Sequence, residues 1–162
     1  MATPAWVPLA STTLSSSASS VTFGSIPSGY RDLVVVINWT NSSSTGSNVG
    51  LRFNSDSGSN YPHVAMYGDG SSTNYASGTQ PYAYVFYGAT TAEQMATVQV
   101  LDASATDKHK TSLSRSGGGS YRTYAWASRW ANTSAITSIE VLNSAVNFSA
   151  GSTFSLWGRN AL

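Results

Sequence analysis

The side chains that could do chemistry in this chain are two histidines, seven carboxylates and a large stock of hydroxyls. His63 follows Tyr61 and Pro62 at the start of a strand-like run, and His109 sits in the charged stretch Asp107-Lys108-His109-Lys110. A zinc site needs several His, Cys or carboxylate ligands held close together. The two histidines stand far apart, there is no cysteine, and no carboxylate lies at ligand spacing, so neither a metal nor a cofactor is expected. The carboxylates Asp32, Asp56, Asp69, Glu93, Asp102, Asp107 and Glu140 are scattered singly. Glycoside hydrolysis needs two such groups facing each other across a cleft, and no cluster here offers the pair. Asp56-Ser57-Gly58 and Asp69-Gly70-Ser71 have the look of calcium-loop fragments, but the alternating acids and closing Glu are missing. They read as Asx turns, in which the carboxylate takes a backbone N–H two residues on. Asp32, after Arg31 and ahead of an apolar run, reads as a cap or an ion-pair partner. No Gly-x-Ser-x-Gly elbow and no phosphate loop with its lysine occurs, and Ser116-Gly117-Gly118-Gly119-Ser120 reads as a loop tip. The chain is not expected to be an enzyme.

Aromatic rings are the remaining candidates. Tyr82, Tyr84, Tyr121, Trp126 and Trp130 could stack on sugar rings or line a subunit interface. Aromatics on strands serve equally as core residues, because they fill a pleated, half-buried surface well.

Composition narrows the partners. Charged residues make up 9% of the 162, against about 25% in an average domain. The net charge is +1. A surface of this kind lacks the basic face that binds nucleic-acid phosphates and the polybasic cluster that binds acidic membranes. Serine (30) and threonine (17) supply the polarity that charge does not. The start of the chain has no basic segment followed by a long apolar run, so no signal peptide is expected, and no apolar stretch is long enough for a membrane helix.

The elements that must position these residues are strands. Alternation marks Ser19–Phe23, Val49–Phe53, Pro81–Tyr87, Met95–Leu101, Tyr121–Trp130, Ile139–Leu142 and Phe154–Gly158. Leu33-Val34-Val35-Val36-Ile37 is a continuous apolar run, which predicts a central strand buried on both faces. Val64–Tyr67 and Lys110–Arg115 are shorter, the second with Leu113 turned inward. Asn41–Asn48, Asn54–Asn60, Gly68–Gly78, Asp102–Asp107, Ser116–Ser120 and Asn143–Ser152 are turn clusters, and Ala92–Ala96 has room for one helical turn. Nine to ten strands at this spacing predict an all-β, single-domain β-sandwich, jelly-roll-like, over residues 11–162. Residues 1–10 form either an ordinary edge strand or an arm docking on a partner through Trp6, Val7 and Leu9.

Four blocks carry a further signal: Val21-Thr22-Phe23-Gly24-Ser25-Ile26-Pro27-Ser28-Gly29-Tyr30-Arg31-Asp32-Leu33-Val34; Leu51-Arg52-Phe53-Asn54-Ser55-Asp56-Ser57-Gly58-Ser59-Asn60-Tyr61; Lys110-Thr111-Ser112-Leu113-Ser114-Arg115-Ser116; and Ala135–Ile139 with Asn147–Gly158. In this order they resemble a family of small virion proteins of tailed bacteriophages, over most of the chain from about Leu9 onward. The resemblance implies a structural role and no catalytic residues. With no fibre-like repeat in the chain, it implies a capsid decoration (cement) protein that binds and stabilises the capsid surface. The second member of the resemblance is a tail-fibre or tail-tip module binding host glycans. The implied partners are the major capsid protein or other virion proteins. The implied location is the virion, assembled in the host bacterial cytoplasm. Low charge and many aromatics add the expectation of a homo-oligomer, a trimer on a threefold capsid site.

Overall fold

Short alternating runs separated by Gly, Asn and Ser clusters leave this chain only strands to form. The computed structural model describes residues 5–118 and 122–160, with no helix among them. The strands are β1 (Val7–Thr13), β2 (Ser20–Phe23), β3 (Tyr30–Trp39), β4 (Ser47–Phe53), β5 (Tyr61–Gly68), β6 (Thr73–Gln80), β7 (Ala83–Ala89), β8 (Gln94–Leu101), β9 (Lys110–Gly118), β10 (Thr123–Trp130), β11 (Ile139–Asn143) and β12 (Thr153–Asn160). They form an eight-stranded sheet, β1-β12-β3-β8-β9-β10-β5-β6, facing a four-stranded one, β2-β11-β4-β7. Every pairing is antiparallel. The protein is a jelly-roll-like β-sandwich.

Twelve strands exceed the nine to ten read from the sequence, for two reasons. β1 is an edge strand along β12, running from Val7 through the expected boundary at Ala10 to Thr13. β6 lies in what read as the Gly68–Gly78 turn cluster. Its residues, Thr-Asn-Tyr-Ala-Ser-Gly-Thr-Gln, show no apolar alternation because only Ala76 among them packs against the core. The possible helical turn at Ala92–Ala96 does not form, and Gln94 instead opens β8.

The inner faces of the two sheets enclose the core. Leu33, Val35 and Ile37 of β3 meet Val49, Leu51 and Phe53 of β4 and Val98 and Val100 of β8 in one apolar cluster. Val34 and Val36 are only half-buried. The expectation that the Leu33–Ile37 run is covered on both faces is therefore corrected, since only one face has a second layer. β9 reverses a further expectation. Lys110, Ser112, Ser114 and Ser116 point inward, while Leu113 is exposed.

Lys110 is fully buried. Its ammonium donates to the carbonyls of Lys108 at 2.9 Å and Thr133 at 2.8 Å, and it lies 5.9 Å from the Trp130 ring centre. Burial pushes its pKa below the ordinary lysine value.

Candidate functional site

Six of the seven carboxylates, and His63, are engaged in structural contacts. Among the described residues no group of three or more His, Cys, Asp or Glu could hold a metal ion. His63 faces inward, its ring 4.9 Å from Tyr84 and 5.5 Å from Trp126. Its Nδ1 has no hydrogen-bond partner, and burial lowers its pKa below the ordinary histidine value. Ser128 is its cross-strand neighbour, but that hydroxyl is also unpartnered, so the two make no nucleophile–base pair.

The carboxylates brace loops. Asp56 Oδ1 accepts the Gly58 N–H at 2.9 Å, the expected Asx turn, and Asp56 Oδ2 accepts Trp130 Nε1–H at 2.8 Å. Asp69 likewise accepts the Ser71 and Ser72 N–H groups, at 3.1 and 2.9 Å, which hold its pKa near about 2. Asp32 is both cap and ion-pair partner, accepting the Asp102 N–H at 3.0 Å and pairing with Arg159.

Four of the five candidate stacking aromatics are removed from solvent. Tyr82, Tyr84, Trp126 and Trp130 are all less than a tenth exposed. Tyr84 stacks on Trp126 at 4.5 Å, and Trp130 packs edge-on against Phe53 at 5.6 Å. A sugar or a second subunit cannot reach these rings, so both roles are corrected for them: they are core residues. Their alternation is real, but it turns them between the sheets. Tyr121 lies outside the described residues.

The three docking candidates divide. Leu9 packs against the core, where Gly158 leaves it room; a Cβ on that glycine would stand 3.0 Å from Leu9 Cδ1. Val7 is half-buried opposite Gly158 in the β1–β12 pairing. Trp6 is exposed, and it stands at the rim of a groove on the outer face of the eight-stranded sheet.

That outer face is the most distinctive surface of the molecule. Strand register draws one straight row across it: Trp157, Val34, Gln99, Leu113, Ala127 and Val64. The next row is Val36, Thr97, Arg115, Ala125, Met66 and Tyr75. Val64, Met66 and Leu113 are 59%, 72% and 44% exposed. They share with Trp6 and Val34 an open groove of about 560 Å³. A neighbouring depression of about 640 Å³ continues it past Met66 and Arg115 to Tyr75. Isolated exposed apolar side chains are ordinary, but a contiguous set marks an interaction surface. Sequence reading missed this face because Val64 and Met66 sit among inward-facing apolar neighbours and Leu113 was assigned to the wrong side of β9. The available signal was the serine row at 112, 114 and 116, whose period forces Leu113 outward.

What the fold and this face define is a β-sandwich with an apolar outer sheet surface. No family model matches the chain, and no curated protein matches it. Among solved structures it is similar to an exo-inulinase from Aspergillus awamori, 12% identical over 95% of this chain but only 29% of that one, with a TM-score of 0.47. A Caenorhabditis elegans galectin is 9% identical over 90% of this chain and 94% of its own, at a TM-score of 0.39. A marine alginate lyase from Aplysia kurodai is 9% identical over 83% and 70%, at 0.35.

Proposed function

We propose that this chain is a structural protein of a tailed-bacteriophage virion, a decoration protein held on the capsid surface by the outer face of its eight-stranded sheet. The observation that carries the reading is the exposed apolar set Val64, Met66 and Leu113, which shares a groove with Trp6 on that face. Burying such a set against a partner contributes about 25 cal/mol per Å² of apolar area. Arg115, between the two depressions, supplies a charge that can fix orientation. The four sequence blocks that resemble small virion proteins support a place on the virion, and a single compact unit without a fibre-like repeat favours the capsid, with the major capsid protein as the surface engaged. The engagement of carboxylates and His63 in turns, ion pairs and core packing supports a structural rather than a catalytic role.

The glycan-binding tail reading loses the four rings Tyr82, Tyr84, Trp126 and Trp130, which are buried. Quantitative mass spectrometry of purified particles tests the proposal. A copy number set by the capsid lattice supports it. A copy number set by the tail, or absence from the particle, overturns it.

A further inference from the structure

The four sheet edges are not alike. A sheet edge presents unpaired N–H and C=O groups that template pairing with another strand, and proteins blunt such edges with short strands, proline, charges, bulges or cover. β2 is blunted by length, at four residues. β1 carries Pro8 and a register shift between Pro8 and Ala10. β7 pairs irregularly with β4, and the carbonyl of Val85 is taken by the hydroxyls of Ser114 and Ser116 from the opposite sheet. β6 has none of these devices. It runs eight residues in unbroken register along β5, contains no charge and no proline, and is exposed along most of its length. Nothing described in the chain lies against its other side.

We propose that β6 docks a second copy of this chain, β6 against β6, antiparallel across a two-fold axis perpendicular to the sheet. Two eight-stranded sheets then become one continuous sheet. An antiparallel edge is complementary to itself, because alternate residues present both N–H and C=O outward and the two-fold sets each against its counterpart. With no charge on β6, two copies meet there without like-charge repulsion. Residues opposite each other share a face, so a register centred on Ala76 or on Ser77 places Tyr75 against Ser77 or Thr79 of the second copy. Tyr75, 86% exposed in the single chain, gains a cross-strand neighbour there.

Closure follows from the same inequality of edges. Each copy spends its one open edge, so assembly stops at two. A threefold ring built by strand pairing would need β6 to pair with a different edge of its neighbour, and the other three are blunted. This interface adjoins the outer face offered to the capsid, which reaches β6 at Tyr75, but it rests on the β6 edge and is tested independently of the virion reading.

Light scattering coupled to size exclusion on the full chain, over a concentration series, tests it. The expected mass is twice the 17.0 kDa of the chain. The exposed double variant Ser77→Lys/Thr79→Lys should run as a monomer with an unchanged circular dichroism spectrum and the melting temperature that the unaltered chain shows when diluted to monomer. Hydrogen exchange on the unaltered protein gives a second readout that needs no variant. The β6 amides not bonded to β5 should exchange slowly in the dimer and fast on dilution to monomer. A monomer at all concentrations, a trimer, a dimer that survives the lysines, or a dimer with freely exchanging β6 amides would overturn the proposal.

Discussion

The hydroxyl of Ser116 donates to the carbonyl of Val85 at 2.7 Å, across the interior from one sheet to the edge strand of the other. Ser114 reaches the same oxygen at 3.3 Å. Strand β7 ends its sheet, so its free carbonyl would otherwise be buried without a donor. The serine row of β9 is thus the internal lid of an edge, and this explains why polar residues occupy the inner face of a central strand.

Ser116→Ala should cost about 0.5–1.5 kcal/mol, the net contribution of one hydrogen bond, because Ser114 still donates to the Val85 carbonyl. Ser128→Ala, by contrast, removes a buried hydroxyl that has no partner, so it should be neutral or slightly stabilising. Urea unfolding of both variants checks the pair. Equal losses at the two positions would show that the Ser116–Val85 bond contributes nothing specific.

β3 separates its two faces in the same way. Val35 is fully buried and Val36 is half-buried on the outer face. Val35→Asp should cost more than about 4 kcal/mol, as an unpaired charge placed in the core. Val36→Asp should cost less than about 1 kcal/mol, because its carboxylate stays wet. Thermal melts of the two variants give the comparison, and similar losses would mean the outer face is covered.

His63 makes stability depend on pH. Burial lowers its folded pKa below the unfolded value of 6.5. The unfolded chain therefore takes up the proton first, so the stability is present above that value and is lost as the pH falls through the lower folded pKa. Asp69, with a folded pKa of about 2, keeps its charge well below this window. The urea midpoint should drop as the pH is taken from about 7.5 to 5, and His63→Gln should flatten that drop. An unchanged profile in the variant would assign the acid sensitivity elsewhere.

Most strands were legible in the sequence because one face of each is buried and alternation records it. Ten segments met that condition. β6 did not, since a strand with a single residue, Ala76, packed against the core carries no hydrophobic period. Leu113 departs from expectation for a related reason: pattern alone places the apolar residue inward, whereas Ser114 and Ser116 are held inside by the Val85 carbonyl, a partner distant in sequence. The aromatics of β10 showed their shared face in the sequence, but which layer that face meets depends on sheet order, which alternation does not encode. The outer apolar face was hidden likewise, because Met66 and Leu113 become neighbours only through the register of β5, β10 and β9.

Rebinding to particles stripped of this protein tests the central claim most directly. Met66→Glu/Leu113→Glu changes two exposed side chains, so the melting temperature should stay within the shift of about 0.5 kcal/mol typical of surface substitutions. If the outer face of the eight-stranded sheet is the attachment surface, this folded variant should fail to bind capsids that the unaltered chain saturates. Full occupancy by the variant would contradict the account.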